Sequence, residues 1–393
     1  MRTPLAWKNL TSSFGKCVLA ATGVGFAVVL MFMQIGFRNA LIDNNVQILT
    51  LFDPRVAKLA IVSRARYNLS TEQRFSRQIL LQASSLSDVR SVCAVNVERG
   101  TSKVKVEGKP ARPIRSIGIE LDHPAFFADA ELYAELRSAD MRRAGLVDTR
   151  SKSSYGFATT VGELRKQTIE LNGKSLQIVG QFKLGTDFGN DGSILTSAAL
   201  QADYFPWRSR TGDPEDVVDI GLLDVRISDI DELDRLAEKI ESLAPDQIQV
   251  KRTSQFIARE KDFWAKATPI GKIFLIGTLM GLVVGAIICY QIQFTDISEH
   301  MPEFATLKAM GYGPSYFWSV ILCQSLYLAC LGFLPGLAAS IGLYALLAES
   351  SGLIMSMTLD RIVLVWSLTL LMCLVSGSLA IRKLFTTDPA SLF

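Results

Sequence analysis

The 393-residue chain offers few side-chain groupings with the types and spacing that chemistry requires. Asp187-Phe188-Gly189-Asn190-Asp191-Gly192 has the opening of a calcium-binding loop. Its twelfth position, where a bidentate glutamate would close the coordination shell, is Ala198, so a plain turn is expected. Gly173-Lys174-Ser175 has the end of a phosphate-binding loop, but Thr168 stands where the first glycine of G-x-x-x-x-G-K-S belongs. That argues against ATP binding by a P-loop here. His123 and His300 are the two histidines, too few for a His-based metal site. Cys17, Cys289, Cys323, Cys330 and Cys373 lie in apolar runs, leaving Cys93 without a partner for a disulfide or a C-x-x-C site. Neither G-x-S-x-G nor H-E-x-x-H occurs. The sequence therefore assigns no catalytic residue, no cofactor-binding residue and no metal ligand, and reads as a non-enzyme.

One stretch has the chemistry of surface recognition instead. Between two long apolar runs, Pro302 suits the first turn of a helix, and Gly311 followed by Gly313-Pro314 ends it after about two turns. Phe304, Leu307 and Met310 or Gly311 recur at three-to-four-residue spacing and make one sticky face. Glu303 near the start and Lys308 near the end complement the helix dipole.

The elements that position this helix are legible from hydropathy. Four runs, 17–35, 270–292, 320–347 and 362–381, reach the roughly 20 residues that cross a bilayer. Between the first two lies a segment with 33 Lys/Arg and 32 Asp/Glu, the balance of an ordinary extramembrane domain. Arg2, Lys8 and Lys16 before the first run, and Arg382 and Lys383 after the last, place both termini in the cytoplasm and the large domain outside. Asp296, Glu299 and Glu303 in the short loop run against that bias, and the even number of spans overrules them. No ionisable residue lies deeper in the spans than Lys272, near an end, which disfavours a proton-driven carrier. Gly277, Gly281 and Gly285, and Gly332 with Gly336, have the small-residue spacing of close helix packing, and Pro335 suggests a kink.

Helical spacing through Leu41, Ile48 and Phe52 suggests that the first span continues as a stalk over 37–52, about 24 Å long. Phe256, Ile257, Phe263 and Trp264 repeat at seven before the second span and suggest a matching stalk over 253–269. In the outer domain, strand 56–63, helix 71–84 and strand 89–97 are echoed by strand 220–227, helix 231–243 and strand 247–250, with Asp231 as helix cap. Two βαβ-type lobes, 53–120 and 216–252, are expected, flanking a small β-rich module over 121–215 whose turns include Asn172-Gly173. The fold class is thus an α-helical membrane protein of four transmembrane helices with a large α+β outer domain. Its segments are a surface-lying N-terminus 1–16 anchored by Trp7, spans 17–36, 270–293, 320–347 and 362–381, a loop 294–319, a short outer loop 348–361 and a tail 382–393.

The run Glu303-Phe304-Ala305-Thr306-Leu307-Lys308-Ala309-Met310-Gly311 resembles the E-I-(G/A)-x-(L/R)-(K/R)-A-(I/L/M)-G signature of FtsX/MacB-type ABC permeases. Tyr312, where that family has a small residue, departs from it. The ending Asp388-Pro389-Ala390-Ser391-Leu392-Phe393 resembles the family's D-P-(A/I/V)-x-x-L tail. Gly145-Leu146-Val147-Asp148, Gly162 and the segment 169–180 resemble the MacB periplasmic core. Pro4-Leu5-Ala6-Trp7 and Met31-Phe32-Met33-Gln34-Ile35-Gly36-Phe37 resemble the DevC branch, permeases of heterocyst glycolipid exporters.

The resemblance implies a homodimeric inner-membrane exporter subunit that works by mechanotransmission. In it, Glu303, Phe304, Leu307, Lys308, Ala309, Met310 and Gly311 form the coupling helix that docks on a separate ABC ATPase, and ATP and Mg belong to that partner. A periplasmic membrane-fusion adaptor, a TolC-like outer-membrane channel and a lipid-like cargo, glycolipid for DevC, complete the implied assembly. Membrane lipids surround it, and nucleic acid plays no part. Lipoprotein release, control of a cell-wall hydrolase, or a pump-free receptor stand as alternatives.

Overall fold

A computed structural model describes residues 14–187, 189–209, 211–353 and 355–386. Arg2, Lys8 and Trp7, and the ending Asp388 to Phe393, lie outside the described residues. The chain forms two compact units. One comprises Met1–Asn39, Pro269–Leu346 and Met355–Phe393, the other Ala40–Thr268 and Leu347–Ile354.

Helix α1 (Phe14–Asn44) has no proline and no charged residue between Lys16 and Arg38, so nothing interrupts its hydrogen-bond ladder across the first span. The expected 37–52 stalk is helical only to Asn44, then tightens into a 3₁₀ turn over Gln47–Leu51. Backbone bonds explain the change. The Phe52–Phe127 bridge, Ala128 N–H to Leu51 O (2.9 Å) and Asp53 N–H to Phe126 O (2.8 Å) draw this segment into the outer domain as an edge.

The outer domain is built on one eight-stranded sheet. In chain order its strands are β1 (Leu59–Ser63), β2 (Val89–Glu98), β3 (Arg115–Ile119), β4 (Ala144–Asp148), β5 (Gln177–Phe182), β6 (Ser193–Ser197), β7 (Ile220–Val225) and β8 (Ile248–Arg252). Their spatial order is β5-β4-β6-β3-β2-β7-β1-β8. Helices α2 (Arg77–Ser84), α3 (Ala130–Met141), α4 (Ala198–Tyr204) and α5 (Ile230–Glu241) connect them. The β5–β4 and β6–β3 pairs are parallel and the rest antiparallel.

The two strand–helix–strand units read from sequence are present as β1-α2-β2 and β7-α5-β8. They interlock rather than stand as separate lobes: β7 lies between β2 and β1, and β1 between β7 and β8. Each unit alone would leave a strand edge unpaired, and interleaving satisfies both. The 121–215 segment is likewise no free-standing module, since β4, β5 and β6 extend the same sheet. A second, four-stranded sheet uses Lys103–Val106, Arg112–Pro113, Ile169–Leu171 and Lys174–Ser175. Its Asn172-Gly173 turn has positive φ at both residues (51° and 77°), as a type I′ hairpin needs. The cap of α5 is Asp229, not Asp231: the Asp229 carboxylate accepts from the N–H groups of Asp231 and Glu232, both at 3.2 Å.

Helix α6 (Thr253–Asp262) and a π turn at Phe263–Ala267 end the outer domain. Phe256 is buried in one apolar cluster with Ile48 and Phe52, and Lys261 pairs with Asp43 at 2.8 Å. Leu41 is half-buried, Phe263 stands edge-on to Tyr67 at 4.9 Å, and the Trp264 indole N–H donates to Glu260 at 3.0 Å.

The other unit contains α7 (Pro269–Glu299), α8 (Met301–Ala309), α9 (Pro314–Ser351) and α10 (Leu359–Thr386). With α1, the helices α7, α9 and α10 are long and apolar enough to cross a membrane. Helix α9 passes through Pro335 without a break.

A candidate docking helix and the bundle that holds it

Helix α8 follows α7 after one residue. The His300 backbone N–H still donates to Asp296 O, and Phe304 N–H then donates to His300 O, so the chain turns with little loss of hydrogen bonding. Pro302 occupies the first turn, where no intrahelical donor is required. At the other end Gly311 N–H donates to Lys308 O (3.1 Å) and Tyr312 N–H to Leu307 O (3.2 Å). These two bonds form a Schellman cap, and they require the left-handed φ of +92° that Gly311 adopts. Pro314 then opens α9.

The structure divides the seven residues read as one docking surface. Phe304 is 2% exposed and sits among Ile297, Phe317, Val320, Ile321 and Ile381, with its ring edge-on to Phe317 at 5.9 Å. Its face anchors α8 to α7, α9 and α10, so it is not offered outward as the sequence reading had it. Leu307 is half-buried against the same cluster. Glu303, Lys308, Ala309, Met310 and Gly311 are exposed, and Thr306 joins them. Glu303, Thr306 and Met310 follow at three- and four-residue intervals, one face of a helix. Among the described residues neither Glu303 nor Lys308 has an ion pair.

The glycines expected to pack helices do so within one chain. A Cβ on Gly332 would lie 2.4 Å from Val24 Cβ, and one on Gly336 would lie 2.9 Å from Gly25 O. Gly285 meets Ala27 and Met372, and Gly277 meets the Gln34 side chain. Gly281 faces Leu30 and Met31 of α1. The Gly281 stripe is thus filled by α1 of the same chain.

Polar side chains then tie the helices together. The Ser325 hydroxyl donates to Gln293 Oε1 (2.7 Å), the Gln293 amide donates to Cys373 O (3.3 Å), and the Ser376 hydroxyl donates to Ala286 O (2.8 Å). A Cβ on Gly377 would collide with Ser325 and Gln293. Such bonds join helices where apolar burial gives no preference over lipid.

Residues 275–389 match the FtsX-like permease C-terminal family. The matched segment contains most of α7 together with α8, α9 and α10. For the outer domain, the periplasmic region of MacB from Actinobacillus actinomycetemcomitans aligns with 52% of this chain and 94% of its own length, at 10% identity and a TM-score of 0.36. The extracellular domain of the ABC-type transporter YknZ from Gram-positive bacteria aligns with 49% of this chain and 99% of its own, at 10% identity and a TM-score of 0.33. Among curated proteins, none matches the chain.

A charged network in the outer domain escaped the sequence reading. Arg208, fully buried, donates to Glu98 (2.8 Å) and Asp219 (2.6 Å), and Arg74 reaches Glu98 as well. Nearby, Arg115 and Arg99 converge on Asp187 Oδ2 at 2.6 and 2.7 Å, while Asp187 Oδ1 accepts from Asn190 and Gly189 N–H. Burial opposes the charge on Asp187, but the two guanidinium groups outweigh it and hold the carboxyl at about 2. Burial draws Arg115 down to about 10 against the pull of Asp187. Burial raises Glu98, opposed by Arg208 and Arg74. The Asp187 carboxylate is therefore saturated by protein donors. The partners lie 72 and 88 residues apart in the chain, and no local spacing announces them.

Proposed function

We propose that this chain is the membrane subunit of an ABC-type exporter, a non-catalytic permease that a separate ATPase drives through α8. The observation that carries this reading is the two-sided character of α8 within the permease segment. Its inner face is locked to three membrane-capable helices by Phe304, and its outer face, Glu303, Thr306, Lys308 and Met310, has no partner ion or cluster among the described residues. A helix held so firmly transmits a push applied to its exposed face.

In this reading both termini and α8 are cytoplasmic, the outer domain is periplasmic, and two copies work as a homodimer. Helix α7 favours that pairing: 17% of its apolar window is buried, against 50% for α9, and Ile276, Met280, Val283 and Ile287 face outward at heptad spacing. Among the described residues the spans hold no buried ionisable relay, which favours ATP-driven movement of the outer domain over ion flux. The cargo is lipid-like, with glycolipid as the specific form, and leaves through a periplasmic adaptor and an outer-membrane channel. ATP and Mg bind the partner ATPase.

Affinity purification of the full chain from native membranes tests the proposal. A P-loop ATPase is expected to co-purify and to be lost when Met310, 63% exposed, becomes Asp. Recovery of the chain without any ATPase after gentle extraction contradicts it.

A further inference from the structure

A cationic groove of about 370 Å³ lies in the outer domain, where the chain leaving β1 passes α6. Arg64, Arg66 and Tyr67 line it from the first segment, and Arg259, Glu260 and Phe263 from α6 and its π turn. Both segments are pinned. The Arg64 N–H donates to Gln247 O (2.8 Å), and the buried Arg66 guanidinium bonds to the carbonyls of Asn68, Leu69 and Asp219. Gln249 on β8 ties them together: its amide donates to Ser63 O and Arg66 O, both at 3.4 Å, and its Oε1 accepts from Arg259 Nη1 at 2.6 Å. The groove is therefore preformed.

Its charges do not cancel. Arg259 has no ion pair among the described residues, and its Nε and Nη2 make no hydrogen bond, yet neither is sealed from solvent. Arg64, its side chain 48% exposed, gives Nε to Ile248 O and Nη2 to Glu241, which leaves Nη1 open. Glu260 offers little in return. It is 1% exposed, and its Oε1 already accepts from the Leu69 N–H (2.9 Å) and the Trp264 indole N–H (3.0 Å). Burial raises its carboxyl, which favours the uncharged form. Open guanidinium donors suit a phosphate oxygen, which matches the planar fork in charge and geometry.

The aromatic rim indicates the source of that phosphate. Tyr67, 72% exposed, stands edge-on to Phe263, which precedes by eight residues Gly271, where the second membrane-capable run opens. Eight residues reach at most about 28 Å. Exposed aromatic rings with a polar tip, set beside cations, have the character of a membrane-surface belt.

We propose that this groove binds the phosphodiester of an anionic glycerophospholipid, with Arg64 and Arg259 on the phosphate oxygens and the Tyr67–Phe263 pair beside the glycerol. At roughly 30 Å³ per water-sized group there is room for about twelve non-hydrogen atoms, enough for a glycerol phosphodiester. A choline headgroup would bring a cation toward the arginines, so the anionic lipid is preferred. The site needs a bilayer but no ATPase.

Photolabelling of the full chain in phosphatidylcholine nanodiscs tests the site. Trace phosphatidylglycerol and phosphatidylcholine, each with a diazirine on the headgroup, are the probes, and label on residues 64–67 and 259–263 is the readout. The phosphatidylglycerol label is expected to saturate and to exceed the phosphatidylcholine label about tenfold, the worth of one charge-assisted hydrogen bond. Arg64→Gln combined with Arg259→Gln removes that excess, whereas Arg90→Gln, at an exposed arginine of β2, preserves it. Tyr67→Glu, at a position too exposed to endanger folding, lowers the phosphatidylglycerol label by repulsion. Excess soluble glycerol phosphate leaves the label in place. Label that does not saturate, shows no preference for phosphatidylglycerol, or survives both sets of substitutions overturns the assignment. Displacement by soluble glycerol phosphate overturns it too, making a free phosphate ester the ligand. The assay contains no ATP and no ATPase, so its failure leaves the coupling reading standing, and absence of an ATPase partner leaves a positive labelling result intact.

Discussion

Phe304 stands edge-on to Phe317, ring centroids 5.9 Å apart, and this contact fixes the exposed helix α8 to the start of α9. The side chain that a sequence pattern marks as a docking residue is the one buried against the membrane-capable helices. Attachment to the membrane-capable helices falls to Phe304, and the proposed contact with an ATPase is assigned to the exposed residues of the same helix.

Phe304→Ala is expected to destabilise the membrane unit by about 3–5 kcal/mol, the range for emptying a buried aromatic site. Met310→Asp, on the exposed face, is expected to stay within about 0.5 kcal/mol of the parent. Unfolding of the purified full chain in one detergent compares the two directly. Equal stability of both variants would contradict the burial of Phe304.

Gly311 has space around it, with nothing within 4 Å of an added Cβ, so a side chain there is penalised by backbone conformation alone. Gly311→Ala is expected to cost about 1 kcal/mol or more, and Gly311→Val more still. A greater loss for Gly313→Ala, which has neither the crowding nor a positive φ, would refute the cap assignment.

Crowding is the whole argument at Gly332. An added Cβ collides with Val24 and comes within 3.2 Å of Ala21 O, whereas Gly342, ten residues along the same helix, has open space. Gly332→Val is expected to cost about 1–3 kcal/mol and Gly342→Val well under 1 kcal/mol. Thermal melting of the two variants side by side decides it.

Acid should weaken the outer domain through Asp187. Its folded value, about 2, lies below the ordinary 3.8, so its contribution is full above pH 3.8 and is lost as pH falls toward 2. The loss is on the order of 2 kcal/mol. Glu98 and Glu260 act oppositely: burial raises both, so their contribution is present below the ordinary carboxylate value and fades as pH rises through the raised one. Comparing Asp187→Asn with the parent cancels them. At pH 7 the variant should be about 3–5 kcal/mol less stable, because Arg115 and Arg99 are left as unpaired buried charges. The gap should narrow below pH 3.8, and a gap independent of pH would rule out this role.

The four membrane-capable helices were legible because a bilayer demands a long apolar run, and length with hydropathy reports that demand directly. Pro302 and Gly311 likewise marked the ends of α8 through local backbone rules, and Asn172-Gly173 marked its hairpin. Orientation around an element was less legible. Phe304, Leu307 and Met310 recur at helical spacing, yet periodicity identifies an apolar face without saying whether it meets a partner or the chain's own helices. The interleaving of β1 between β7 and β8 joins strands more than 150 residues apart in sequence, and no local pattern encodes that pairing. Arg208 with Glu98, and Arg115 with Asp187, were hidden for the same reason.

ATPase stimulation by the full chain tests the central claim most directly. With the co-purifying ATPase reconstituted beside the parent chain, Glu303→Lys combined with Met310→Asp should abolish stimulation while the melting temperature and membrane insertion stay unchanged. Undiminished stimulation by that stable double variant would contradict the assignment of the exposed face of α8 as the point where the ATPase acts.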